Sequence, residues 1–173
     1  MIIKPELDVD YDMHIQIQNL RNQCFPDHAV PRSYFKQLPR YRVLLYREHR
    51  LIATMGLNYR VMAVAENVLK ILGIIDLCVA EDCRAQGIAG QILAHVSAYA
   101  AERDVDFLLL MADRPEYYEK NGFKRIECVG EWLKIHEHQH YGIAQELLDD
   151  LMIKPISGEP WPEGELDWLG YMY

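Results

Sequence analysis

Between Tyr11 and Phe25, apolar side chains at Ile15, Ile17, Leu20 and Cys24 recur close to helical spacing and predict an amphipathic helix, which "PDHAVP" then breaks. A second short helix is expected over Arg32 to Leu38, ending before Pro39, because the residue preceding a proline is pushed out of the helical region. From Tyr41 the period changes. "YRVLLYREHRLIATMGLNYRVMAV" reads as two strands rich in β-branched and aromatic residues, joined at Glu48 to Arg50. "AEN" at 65–67 offers another turn, and "VLKILGIIDLCVA" supplies a third long strand, so the three form a meander.

Beyond residue 80 helices and strands alternate. A helix from Gly87 to about Glu102 leads to the strand "VDFLLLM", a short helix through "PEYYEKNG" and a strand beginning "FKRIE". Strand, helix, strand over about 30 residues is the length of a crossover unit, so the last strands should run parallel to the strand at 68–80. After "EWLKIHEHQHY" come a helical-looking "AQELLDDL", an apolar "LMIKPI" and a tail rich in Pro, Gly and Trp. No repeat or linker divides the chain, and the expectation is one α/β domain over residues 1–173, with a mixed, mostly antiparallel sheet flanked by helices.

Composition narrows the class. Half of the 173 residues are apolar, which speaks against a disordered chain. The net charge of -8 disfavours a general binder of nucleic-acid phosphates and suits a cationic substrate, without excluding a local anion site. No apolar run approaches the roughly 18 residues of a membrane span. The four cysteines contain no C-x-x-C pair and the N-terminus has no export-like core, so a reduced, cytoplasmic protein is expected.

The most informative stretch is "AEDCRAQGIAGQIL", residues 80–93, where glycines weaken the first turn of the predicted helix. A glycine-rich turn between strand and helix presents unpaired N–H groups and the positive end of the helix dipole to an anion. The stretch has neither the leading glycine nor the lysine of G-x-x-x-x-G-K-[ST], and Ala89 between Gly87 and Gly90 fails the G-x-G-x-x-G spacing. What remains is R-x-x-G-x-A, formed by Arg84, Gly87 and Ala89. Small residues at 85, 87, 89 and 90 leave room for a pyrophosphate, with Arg84 adding a charge-assisted contact; the alternative is that they only let the helix pack tightly on the sheet.

Some 30 residues on, "PEYYEKNGF" carries Tyr118 on a short helix whose stop falls at Gly122. Strand, R-x-x-G-x-A loop, helix, strand and then Y-E-K-x-G-F resembles the GCN5-related N-acetyltransferase (GNAT) superfamily. Element order matches over nearly the whole chain, while the specific motifs lie within residues 74–126. The resemblance implies the GNAT fold, splayed near the strand at 68–80, with acetyl-CoA as co-substrate and no metal. It implies that the pantetheine arm pairs with Leu77, Cys78 and Val79. The backbone of Arg84, Ala85, Gln86, Gly87, Ile88, Ala89 and Gly90 would hold the pyrophosphate. Tyr118 would lie beside the thioester sulfur, as the acid that protonates the departing thiolate. Asp76, an acid within an apolar strand, is the candidate base, against the alternative of a hydrogen-bonded structural carboxylate.

A softer likeness, to aminoglycoside 2'-N-acetyltransferases and NodA-type acyltransferases, rests on "YRVLLYREHRLIATMGLNYRVM", "LMIKPI" and the Trp-rich acidic tail. The activity implied is direct transfer of acetyl to a primary amine of a small, cationic acceptor, with neither nucleic acid nor membrane as partner. A longer-chain acyltransferase and a non-catalytic acyl-CoA-sensing module stay open as alternatives. On a strand, His136, His138 and His140 would share one face, suiting zinc, an acceptor pocket or a plain exposed edge. The tail from Gly158 to Tyr173 is too apolar to hang free. It is expected to fold back on the domain or onto a second copy in a homodimer, with Trp161, Trp168, Glu163, Glu165 and Asp167 either walling the acceptor site or simply packing.

Overall fold

The computed structural model describes residues 1–173, and its contacts fall into two units, Met1–Asn58 with Ile74–His95 and Tyr59–Gly73 with Val96–Tyr173. In the first unit, β1 (Ile2–Pro5) pairs antiparallel with β2 (Tyr41–Arg47), and β2 pairs antiparallel with the leading half of β3 (Arg50–Val64). The β2–β3 turn places Glu48 and His49 at φ of 49° and 68°, the mirror-image turn that matches strand twist, made here without glycine. α1 (Tyr11–Cys24) starts at Asp10, whose side chain accepts from the Met13 amide at 2.9 Å, and buries Ile17, Leu20 and Arg21.

The helix expected over Arg32 to Leu38 is absent; residues 31–37 form bends. Side-chain hydrogen bonds hold the chain around this segment instead. Asn22 bonds both the carbonyl and the amide of Val30, Arg32 donates to the Phe35 carbonyl, and Arg42 donates to the Ser33 carbonyl. Arg42 is 2% exposed and also forms a two-pronged pair with Glu6, at 2.8 and 3.1 Å.

The trailing half of β3 and the leading half of β4 (Asn67–Val79) belong to the second unit. There the strand order is β3-β4-β5-β7-β6-β8, and β8 pairs back to β3, so the sheet closes into a ring. β5 (Phe107–Met111) runs parallel to β4, as expected, in register over Ile71–Gly73 only. β6 (Lys124–His136) shares that direction through two antiparallel steps, across β7 (Gln139–Pro155) and then β5, but does not neighbour β4. Inside the ring Trp168, Phe107, Met62, Ile71, Leu151 and Leu166 are essentially inaccessible.

The helical look of "AQELLDDL" is overturned: residues 144–151 lie in β7. Ile126 faces Leu151 while Cys128 faces Leu148, so β7 carries one extra residue, a β-bulge. Three-residue spacing thereby puts Leu148 and Leu151 on one buried face, which imitates helical periodicity. The histidines do not share a face either. Glu137 and His138, at φ of 45° and 61°, form the β6–β7 turn, with His136 opposite Gln139 and His140 opposite Ile135.

The tail folds back as β8 (Leu166–Tyr171), antiparallel to β3 and parallel to β6. Trp168 is fully buried in the ring, and the partly buried Trp161 packs edge-on against Phe107 at 5.1 Å. Arg60 holds the tail by donating to the Trp168 and Tyr171 carbonyls and lies over the rings of Trp168, Tyr171 and Tyr173. A Cβ on Gly73 would fall inside the Tyr173 phenol, so this close approach requires glycine. No helix is long and apolar enough to cross a membrane.

Replacing Arg42 with Met should strand the buried Glu6 carboxylate and lower unfolding stability by about 3–5 kcal/mol, read from urea denaturation.

Candidate active site

The first unit contains β4 from Ile74 onward, the loop that follows it and the start of α2 (Ile88–Ala101). Within β4, Asp76 adopts φ of 50°, a left-handed conformation that aspartate tolerates better than most residues and that kinks the strand. Its carboxylate accepts from Arg21 Nε at 2.7 Å, with the two side chains 17% and 3% exposed. The ion pair occupies Oδ2 and leaves Oδ1 without a hydrogen-bond partner, so the carboxylate combines a structural contact with a remaining acceptor oxygen.

Leu77 and Val79 are half-buried and Cys78 is buried. The Val79 carbonyl already receives Arg84 Nε at 3.1 Å and the Cys24 thiol at 3.5 Å, while the Ala80 amide donates to the Ile52 carbonyl. Arg84 thus folds back on the strand end, with its Nη2 3.6 Å from Cys24 Sγ, rather than reaching over the loop. Gln86 is held too, donating to the Asp82 carbonyl and accepting from Arg47.

The backbone of the loop is arranged differently. Ala85 and Gly87 take left-handed φ of 59° and 75°, and a Cβ on Gly87 would meet nothing within 4 Å. The Gln91 amide bonds to the Gly87 carbonyl at 3.0 Å, so the amides of Ile88, Ala89 and Gly90 precede the first intrahelical bond. No acid lies in the first turn of α2, and Asp82 ahead of the loop is neutralised by Arg50 at 2.6 Å. Open space before Gly87, unbonded amides and a helix dipole fit a phosphate group.

Tyr118 lies in the second unit, on α3 (Pro115–Glu119). The Phe123 amide bonds the Tyr118 carbonyl at 3.1 Å and the Gly122 amide bonds the Glu119 carbonyl at 3.0 Å, a Schellman stop with Gly122 at φ of 85°. The accompanying apolar contact is Tyr118 against Phe123, 5.9 Å between ring centres, with Phe123 buried. "YEKNGF" is therefore a device that fixes the tyrosine ring. Lys154 reinforces it, donating to the Asn121 carbonyl and to Ser97, and burial pulls its ammonium below the usual lysine range.

Three features escape a reading of the sequence. Arg21 has one signal, a cation four residues from Ile17 on the buried face of α1. The contact between Cys24 and Arg84, 3.6 Å from Sγ to Nη2, arises from tertiary packing alone. Asp150, whose carbonyl receives the Ala112 amide, has its carboxyl pushed above the usual range by burial, with repulsion from Asp149 and Asp113 adding to it. A carboxylate so shifted is a better proton acceptor than an exposed one. No group of three His, Cys, Asp or Glu side chains is set to hold a metal ion.

A family model described as an acetyltransferase (GNAT) domain matches residues 9–126. The chain belongs to the GNAT acetyltransferase family. No curated protein sequence matches this GNAT chain. Among solved structures, it is similar to the GNAT family N-acetyltransferase YhbS from Escherichia coli in complex with CoA, at 15% identity and a TM-score of 0.62, covering 96% of this chain and 88% of that one. An aminoglycoside 6'-N-acetyltransferase complexed with coenzyme A aligns at 14% identity and a TM-score of 0.60, covering 94% of this chain and 100% of that one. A GCN5-related N-acetyltransferase from Anabaena variabilis aligns at 18% identity and a TM-score of 0.59 over 76% of this chain, which spans only 34% of that protein. These likenesses place the GNAT fold on the mixed, mostly antiparallel sheet described above.

Gly122→Ala should cost about 1–2 kcal/mol, the penalty for a left-handed non-glycine residue, seen as a lowered melting temperature.

Proposed function

We propose that this GNAT protein transfers the acetyl group of acetyl-CoA directly to a primary amine of a small cationic molecule. The observation that carries the reading is the start of α2. Open space at Gly87 and the amides of Ile88, Ala89 and Gly90 form a backbone anion cradle within a chain whose net charge is -8. The CoA-bound state of two solved relatives supports the choice of cofactor.

When bound, acetyl-CoA supplies an activated acyl group as a thioester. The chain's residues have separate tasks. The amides from Ala85 to Gly90 bind the pyrophosphate, the Arg84 amide being taken by the Glu81 carbonyl at 3.2 Å, and Leu77, Cys78 and Val79 orient the pantetheine arm through their backbone. For Arg84 to add its charge, its guanidinium must leave the Val79 carbonyl and Cys24, or act from there at longer range. Tyr118, its ring fixed by Phe123, provides the hydroxyl proton for the departing thiol. Asp76, clamped by Arg21, serves to hold the kink in β4. The acidic surface favours amines that carry positive charge, the electrostatic preference of the aminoglycoside-like reading.

Gly87→Leu should raise the CoA dissociation constant at least about tenfold by calorimetry, since a side chain enters the cradle and strains a left-handed residue. Unchanged binding would remove the pyrophosphate assignment. Tyr118→Phe should keep CoA affinity within about twofold and lower kcat by about 10²-fold, the usual range for loss of a general acid. A screen of aminoglycosides, polyamines, amino acids and peptide N-termini, read by release of free CoA, identifies the acceptor. Faster turnover of fatty-acyl donors than of acetyl-CoA would replace acetyl transfer with longer-chain transfer.

A further inference from the structure

β7 is 17 residues long, and β5 covers only its end, pairing over Leu151–Pro155. From Tyr141 to Leu148 the strand has β6 on one side and no strand on the other, so alternate residues turn N–H and C=O groups out along an open edge. Proteins usually protect such an edge with lysine, proline or a covering segment. "YGIAQELL" contains no lysine, arginine or proline, and Tyr141, Ile143 and Leu147 are 58%, 64% and 62% exposed. We propose that this edge is the interface for a second copy of the chain, which adds its own β7 antiparallel about a twofold axis at Gln145 and continues the sheet.

The side chains select both the occupant and the register. Ala144 and Leu148 pack with Trp132 on the core side, so Ile143, Gln145 and Leu147 share the outer face. Self-pairing that keeps this face continuous can be centred on Ala144, Gln145 or Glu146. Centred on Gln145, each Ile143 lies opposite Leu147 of the other copy, Gln145 opposite itself, and Glu146 opposite Ala144. Apolar side chains then meet twice and no like charges meet. Centred on Glu146, two carboxylates would oppose each other and Ile143 would face Asp149. Centred on Ala144, Ile143 would face Gln145 and Gly142 would face Glu146. A segment that is its own complement suits an isologous contact, in which one patch serves both sides.

The neighbouring structure sets the ends of the shared ladder. Beyond Leu148 the edge is occupied, because Arg125 donates to the Asp149 carbonyl and the Ala112 amide to the Asp150 carbonyl. On the other side Gly142, at φ of 81°, ends the regular strand. These limits match, since Gly142 falls opposite Leu148 in the register centred on Gln145. Gln145 donates to Glu165 at 3.3 Å, which holds its side chain on the outer face and leaves its carbonyl oxygen to accept across the axis. The tail is taken up within its own chain as β8, so β7 and not the tail holds the second copy. None of these residues belongs to the glycine loop or to the Tyr118 stop, and the interface stands independently of the CoA reading.

Sedimentation velocity of the full chain at about 100 μM should show a dimer, since an interface of μM affinity is filled at that concentration. Ile143→Lys removes both apolar pairs and should raise the dimer dissociation constant at least about tenfold, with an unchanged far-UV circular dichroism spectrum because Ile143 is exposed. Gln145→Cys gives an independent readout. Directly opposed Cα atoms in an antiparallel pair lie about 4.5–5.5 Å apart, within disulfide reach, so mild oxidation should link two chains through residue 145, as mapped by mass spectrometry of unreduced peptides. His138→Cys, in the β6–β7 turn, should form no such link. A monomer at about 100 μM, a dimer that Ile143→Lys leaves intact, or a dimer that Gln145→Cys fails to cross-link would overturn the proposal.

Discussion

Arg21 carries a full positive charge into the interior of the first unit, its side chain only 3% exposed, and the groups around it are arranged to compensate that charge. Its Nε donates to Asp76 and its Nη1 to the His28 carbonyl, while the rings of Phe25 and Phe35 lie 5.7 and 5.3 Å from the guanidinium carbon. An unpaired charge at that depth costs several kcal/mol, so each partner is in effect required. The irregular chain after α1 is thereby tied to the helix, and Asp76 is held in the left-handed conformation that kinks β4 just before the glycine loop. Lysine would not substitute, because a point charge on a flexible stem cannot donate in two fixed directions while stacking on rings.

Positive potential at the loop comes from the backbone. The Arg84 and Gln86 side chains are both turned back into hydrogen bonds, and Arg50 pairs with Asp82, which leaves the amides at the head of α2 as fixed donors at the loop. Fixed amides need no reorganisation to meet an anion, whereas a flexible guanidinium must first be ordered. This reconciles an anion cradle with a strongly acidic chain: the net charge acts over long range and is screened by salt, while the amides act at contact.

Signals that are local in sequence were legible and those created by tertiary packing were not. The strand meander, α2, β5 and the α3 stop follow from periodicity and turn residues, and the "YEKNGF" stop is closed by bonds within its own six residues. Residues 32–38 misled because the Arg42 side chain, from β2, takes the Ser33 carbonyl. Residues 144–151 misled because one bulge converts a two-residue period into three. At the site, the glycine positions were readable from spacing, but the Arg21 clamp on Asp76 and the Arg84–Cys24 contact join residues more than fifty positions apart.

The ring of strands in the second unit also constrains how the chain is made. β8 closes it, and the Arg60 bond to the Trp168 carbonyl links positions 108 residues apart in sequence. During synthesis the trailing half of β3 and the leading half of β4 emerge early, and their apolar faces wait until Trp168 arrives to fill the centre. Non-local closure of this kind is slow and leaves unpaired strands exposed in the interval. The second unit should therefore be the part of this protein that depends most on a chaperone, and the part from which aggregation begins when translation stalls before β8.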